Sequence, residues 1–395
     1  MRCSIKKTDL AIYALFLAVF KIYRIPEIVQ QSMKIILLVS VAFYLIRKSG
    51  AKQLLNKAVP LCVSIAVSGI LSCIAGIIPV KSVFDGILHA TCLYLICLLM
   101  DFCQRNHYRE RLIDCLFKIA SIYCAISLVS IVLRVNSGNK SEIVYFFGYK
   151  FLTSYYFIFW LALYSMKYSN RIHKRIRSRY LYFLVSLIVL LICLWVDCAT
   201  SVIAVGFVLV WQFIPWKLRR NFKRRTWIMV MVILAGLLPF FMSLILENSF
   251  VQNVVQNVLG RRLSLTGRMP IYMILQSYIE RRLWFGYGYG NTVIFQQLGY
   301  GNAQNGLLEH MLSYGLVGVM ILFWTLWRCL KNRSCNEPRI EGWYTIFYAL
   351  LIASVVEISF NYIFYMAVFA LGSFRNERGE LSHRVKELQE AGGRN

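Results

Sequence analysis

Between residues 261 and 309 the chain gathers side chains suited to holding an anion and moving a proton. Arg261, Arg262, Arg268, Arg281 and Arg282 are all arginine, whose planar fork suits bidentate contact with phosphate oxygens. Arg268 stands just before a stretch that reads as an amphipathic helix. Pro270 suits its first turn, and Ile271, Ile274, Leu275, Tyr278, Ile279 and Leu283 recur at helical spacing, while Gln276, Ser277, Glu280 and Arg281 take the other face. Free backbone N–H groups and the helix dipole favour an anion at such an N-terminus, so Arg268 there can hold a lipid-linked phosphate. The Arg261/Arg262 and Arg281/Arg282 pairs suit anchoring at lipid headgroups equally well.

Gly286-Tyr287-Gly288-Tyr289-Gly290 follows no expected strand and opens no expected helix, which sets a nucleotide-binding loop aside. Tight turns explain the glycines; the alternating tyrosines leave open a second use, rings offered to sugar faces. Ala303-Gln304-Asn305 then leads into an apolar run carrying Glu309 and His310. Glu309 is four residues after Asn305 and shares its helix face if the helix starts that early. Glu357 lies beside Asn361 at the outer end of a later run. Ionisable residues near membrane depth are functional candidates, with capping or structural pairing as the alternative role.

The elements that must position these residues are hydrophobic. Of 395 residues, 58% are hydrophobic and only 16% charged, with a mean hydropathy of +0.58, which is far from a soluble composition. About twelve apolar runs of spanning length follow one another. The net charge of +26 comes from short basic runs between them, so nucleic acid is not an expected partner. Alternating the loops puts about 32 of the 44 Lys and Arg on one side, which predicts that both termini are cytoplasmic. The expected fold is an all-α polytopic membrane protein with one large external loop containing an amphipathic helix. Its parts are nine spans in residues 1–246, the external loop 247–305, three spans in 306–374 and a cytoplasmic tail 375–395. The twelve cysteines show no C-x-x-C spacing and read as apolar packing residues. No cluster of outward Asp and Glu suits a divalent cation, so neither metal nor cofactor is expected.

Four short motifs stand in order in this region: Thr266-Gly267-Arg268, Phe285-Gly286-Tyr287-Gly288, Ala303-Gln304-Asn305-Gly306-Leu307-Leu308 and Gly315-Leu316-Val317-Gly318. Together they resemble the O-antigen ligase and O-antigen or capsule polymerase superfamily of bacterial envelope enzymes. The ordered match covers about 55 residues. Weaker echoes lie upstream at Phe147-Gly148-Tyr149-Lys150 and Thr200-Ser201. The resemblance implies a metal-independent, inverting glycosyltransferase on the outer face of the bacterial cytoplasmic membrane. It would join saccharides carried on polyprenyl pyrophosphate, working among membrane lipids beside flippase and chain-length regulator proteins. Polymerase is the leading reading, ligase the alternative, and a lipid-linked oligosaccharide flippase or transporter the rival of another class. Carried onto this chain, Arg268 contacts the pyrophosphate with Lys150 as a second cation. Gln304 and Asn305 orient donor or acceptor; Glu309, a candidate from its place in the apolar run rather than from the resemblance, joins the catalytic set. Gly267, Tyr287, Arg281 and Glu357 are the further substrate-binding candidates. Gln304 stands where the family has a histidine; glutamine can hydrogen-bond a sugar hydroxyl but cannot take its proton.

Overall fold

The computed structural model describes residues 6–20, 22–23, 25–133, 144–241, 248–253, 256–257, 268–330 and 338–374. The main helices are α1 (Lys7–Val19), α2 (Glu27–Lys48), α3 (Val59–Ile74), α4 (Val80–Arg105) and α5 (Arg109–Val132). A two-stranded hairpin, β1 (Val144–Tyr145) and β2 (Gly148–Tyr149), precedes α6 (Lys150–Lys167), α7 (Ile176–Trp195), α8 (Ala199–Phe213) and α9 (Arg225–Leu237). The late segment holds α10 (Arg268–Arg281) and α11 (Val293–Leu298), then α12 (Gly306–Cys329), α13 (Pro338–Ala353) and α14 (Tyr362–Ser373). Five of these helices, α2, α4, α5, α7 and α12, are long and apolar enough to cross a membrane, and α3, α8, α9 and α14 are shorter apolar helices. The fold is all-α, as the sequence predicts, apart from the small hairpin. The tail from residue 375 lies outside the described residues.

Burial sorts the helices into a centre and a rim. Every residue of α14 from Ile363 to Ser373 is buried, in keeping with its unbroken apolar sequence, and α14 packs on α4 and α13. On α2, by contrast, only Leu38, Val41 and Leu45 are buried, while Ile36, Val39 and Phe43 on the opposite face stay exposed. Outward-facing apolar side chains of this kind suit hydrocarbon rather than water. The ten described cysteines are free thiols and eight are buried, which fits a packing role.

At one end of the bundle, where α5 and α13 begin and α4 and α6 finish, basic residues meet carboxylates. Glu341 accepts from Arg219 and Lys223 at 2.6 Å each, Lys167 pairs with Asp114 at 3.1 Å, and Arg111 pairs with Asp9. Asp101 takes Lys57 at 3.6 Å and the Ser373 hydroxyl at 2.6 Å.

The opposite end is shaped by a break in α12. Gly315 leaves the helical region (φ +66°, ψ −169°), which frees carbonyls before it and amides after it. The Leu283–Gly288 segment takes up both sets. Tyr287 and Gly288 N–H donate to the Leu312 and Ser313 carbonyls at 2.9 and 2.8 Å, and Leu316 and Val317 N–H donate to the Leu283 and Trp284 carbonyls at 2.7 and 3.2 Å. Buried backbone groups freed in this way are stable only when they are paired within the protein. Ser68 of α3 adds hydroxyl donations to the Phe285 and Ser313 carbonyls at 2.5 and 2.8 Å. The amphipathic helix α10 rests on the start of α12, burying Ile271, Tyr272 and Leu275 with Leu308 and Leu312.

A Cβ at Gly315 would overlap the Trp284 carbonyl and the Phe285 amide, and positive φ strains any L side chain. Gly315→Ala is expected to destabilise the fold by about 2 kcal/mol or more. A clear fall in the thermal unfolding midpoint of the detergent-purified protein checks this, since an unchanged midpoint would mean the splice is not under strain.

Candidate functional site

Beside this splice lies a cavity of about 400 Å³, floored by the first turns of α12 and walled by α4, α14 and the 289–302 segment. Its floor is fixed by Asn305. The Asn305 side-chain oxygen caps α12, accepting from Leu307 and Leu308 N–H at 3.1 and 3.0 Å. Its amide nitrogen donates to the Ala235 and Val355 carbonyls at 2.9 and 3.0 Å, so one buried side chain ties α12 to the ends of α9 and α13. Gly306 closes the same junction, donating its N–H to the Ser354 carbonyl at 2.9 Å.

One turn into α12, Glu309 lines the cavity. Its carboxylate accepts from the Ala303 N–H at 2.9 Å and the Ser313 hydroxyl at 3.3 Å, which fixes its direction. Gln304, between these groups, adopts the left-handed conformation (φ +52°). Its backbone N–H and its side-chain amide both donate to Asn302 Oδ1, at 2.9 and 2.8 Å, while its carbonyl accepts from the Tyr272 hydroxyl at 3.1 Å. Asn302, held by these contacts, lines the cavity in its place.

The facing wall is aromatic. Tyr289 lies over His89 of α4, ring centroids 5.0 Å apart and 22° from parallel, and His89 Nδ1 shares a 2.9 Å hydrogen bond with the Tyr362 hydroxyl. Burial, with Asp85 nearby, pushes the Tyr289 phenol up to about 12, so it remains a hydroxyl throughout the physiological range. Tyr314, Tyr365 and Phe360 complete the apolar lining, and Asn361, which caps α14, adds an amide. Aromatic faces, amides and one oriented carboxylate, in a space of this size, suit a sugar ring: apolar C–H faces against the rings and hydroxyls against the polar groups.

Of the catalytic residues expected from the sequence, Glu309 reaches the cavity, whereas Gln304 and Asn305 lie outside its lining and support its floor. Arg268 is the first residue of α10; its side chain and Gly267 lie outside the described residues. Tyr287 is buried below the cavity and its hydroxyl donates to the Tyr278 carbonyl at 3.0 Å, so Tyr289 is the loop tyrosine that faces the site. Arg281 is exposed and stacks over the Tyr278 ring at 5.7 Å. Lys150 lies 3.8 Å from the Asp197 carboxylate, and Glu357 is buried with a carboxylate oxygen accepting from the Ile358 N–H at 3.3 Å; neither lines the cavity. Sequence reasoning passed over His89, Asn302 and Tyr362, and offered Tyr289 only together with Tyr287. A histidine within an apolar run was the available signal, since an ionisable group at that depth needs a partner or a task.

Asn305→Ala is expected to cost about 2–3 kcal/mol, because it removes a helix cap and leaves two buried carbonyls unpaired. Asn305→Asp keeps the cap but loses the donations to Ala235 and Val355, so it too should lower the unfolding midpoint. Both variants unfolding at the parent temperature would contradict this anchoring role.

Comparison of the sequence with protein-family models gives no match, and comparison with curated proteins gives none either.

Proposed function

We propose that the protein is a membrane glycosyltransferase that joins saccharide units carried on polyprenyl pyrophosphate, with both termini and the basic end cytoplasmic and about twelve spans in all. The observation that carries this reading is the placement of the Glu309 carboxylate in an aromatic, amide-bearing cavity at the end of the bundle away from the basic loops. Of the ordered loop motifs that resemble the polymerase and ligase superfamily, the one from Ala303 to Leu308 contributes Gly306 to the cavity lining, and the site's polar groups gather at one end rather than midway along the spans, where a transporter binds its cargo.

In this mechanism an acceptor hydroxyl lies against Glu309 and a donor sugar stacks on Tyr289. The hydroxyl oxygen attacks the anomeric carbon and its proton passes to the Glu309 carboxylate. The bond from that carbon to the phosphate oxygen breaks, polyprenyl pyrophosphate leaves with the electron pair, and the anomeric configuration inverts. Glu309 thus takes the proton that Gln304 cannot. Asn302, steadied by Gln304, orients a hydroxyl, and Arg268, as the loop motif implies, contacts the pyrophosphate. Because pyrophosphate leaves readily, positioning contributes much of the acceleration.

The test is turnover of a lipid-linked repeat unit by the full-length protein in nanodiscs, following both chain extension and release of polyprenyl pyrophosphate. Glu309→Gln keeps the shape and removes the base, so kcat should fall by about 10²–10⁴ with KM little changed. Parent-like turnover by Glu309→Gln, or none by the parent protein, would refute the reading.

A further inference from the structure

Among the described residues, the cavity lining carries one carboxylate, Glu309, with His89 and His310 and no lysine or arginine, so a pyrophosphate there calls for a cation close by. The described cations at this end are mostly committed or remote. Lys150 faces Asp197, Lys81 pairs with Glu27 at 3.7 Å in the open, and Arg281 stacks on the outer surface of α10. Lys34 is different. It lies seven residues into α2, about 10 Å below the helix start, on the same stripe as the buried Leu38, Val41 and Leu45. A lysine on the inward stripe of a spanning helix is costly unless it has a task. None of the described carboxylates pairs with it. Its ammonium instead stands 5.9 Å from the centroid of the Tyr362 ring, beside Cys92 and within electrostatic reach of His89.

Tyr362 and His89 line the same cavity as Glu309. Lys34, outside that lining, therefore stands against an aromatic ring of the cavity that Glu309 also lines. A cation and a carboxylate at one cavity match a substrate that is anionic in one part and carries hydroxyls in another. We propose that Lys34 binds the pyrophosphate of the lipid-linked donor and stabilises it as it leaves, the Tyr362 ring turning aside to let the phosphates reach the ammonium. This assignment deepens the glycosyltransferase reading and rests on it. The chemistry recognised is a phosphate ester of a long isoprenoid, and a compact ammonium suits it as a point charge.

The experiment measures binding by the full-length protein in nanodiscs of neutral lipid, using polyprenyl pyrophosphate, the uncharged polyprenol of equal length, and inorganic pyrophosphate. The parent should bind polyprenyl pyrophosphate about 10–100-fold more tightly than polyprenol, the size of one charge-assisted contact. Lys34→Met should erase most of that difference while leaving polyprenol binding unchanged, and Lys34→Arg should restore most of it. Lys34→Gln serves as the neutral variant should Lys34→Met fail to fold. Inorganic pyrophosphate should bind weakly and with the same dependence on Lys34. If the parent prefers the pyrophosphate and the neutral variant keeps that preference, the Lys34 assignment is overturned and the glycosyltransferase reading stands. A parent with no preference overturns both.

Discussion

The site depends on the splice between the Leu283–Gly288 segment and the broken helix α12. A buried helix that is interrupted exposes amides and carbonyls that apolar surroundings cannot satisfy, and each left unpaired would cost several kcal/mol. Here four backbone hydrogen bonds from one neighbouring segment repair the interruption at Gly315. Glycine is required on both sides of this contact, since a Cβ at Gly286 would come within 2.6 Å of the Leu312 carbonyl. The repair has a geometric result. It draws the loop down onto α12, so that Tyr289 is delivered to the face of His89 and Asn291 donates to the Ser313 hydroxyl at 3.3 Å.

A second constraint acts from the helix start. Asn305 spends all its hydrogen-bonding capacity on α12's own amides and on the last carbonyls of two neighbouring elements. Glu309 one turn later inherits that rigidity, and its two donors fix which lone pairs remain for a substrate. Positioning of this kind is what a reaction with a good leaving group requires most. Gln304 serves the same frame through Asn302. An amide can hold another amide without titrating, which suits a supporting place rather than a proton-transferring one.

Much of the helical fold was legible because long apolar runs read directly as helices, five of them long and apolar enough to cross a membrane. The helical periodicity of Ile271, Tyr278 and their neighbours foretold α10, which buries Ile271 and Leu275 with Leu308 and Leu312. The glycine-tyrosine loop was readable as turns, since Gly286, Gly288 and Gly290 all have positive φ. Which tyrosine faced the site was not readable, because alternation along a loop does not say which side is inward. His89, Lys34 and Tyr362 were hidden for a related reason. They come from α4, α2 and α14, far apart in sequence, and only helix packing brings them to one wall. Asn305 illustrates the reverse case, a residue whose motif suggested chemistry and whose contacts are architectural.

The central claim is that a lipid-linked sugar occupies the space between Tyr289 and Glu309 during transfer. The most direct test is a cryo-electron microscopy structure of the full-length protein in a nanodisc with a non-cleavable phosphonate analogue of the polyprenyl-linked donor. The account predicts sugar density stacked on Tyr289 within reach of Glu309, with the phosphonate on the Tyr362 side of the cavity. Donor density outside this cavity, at the basic end or on the outer surface of α10, would contradict it.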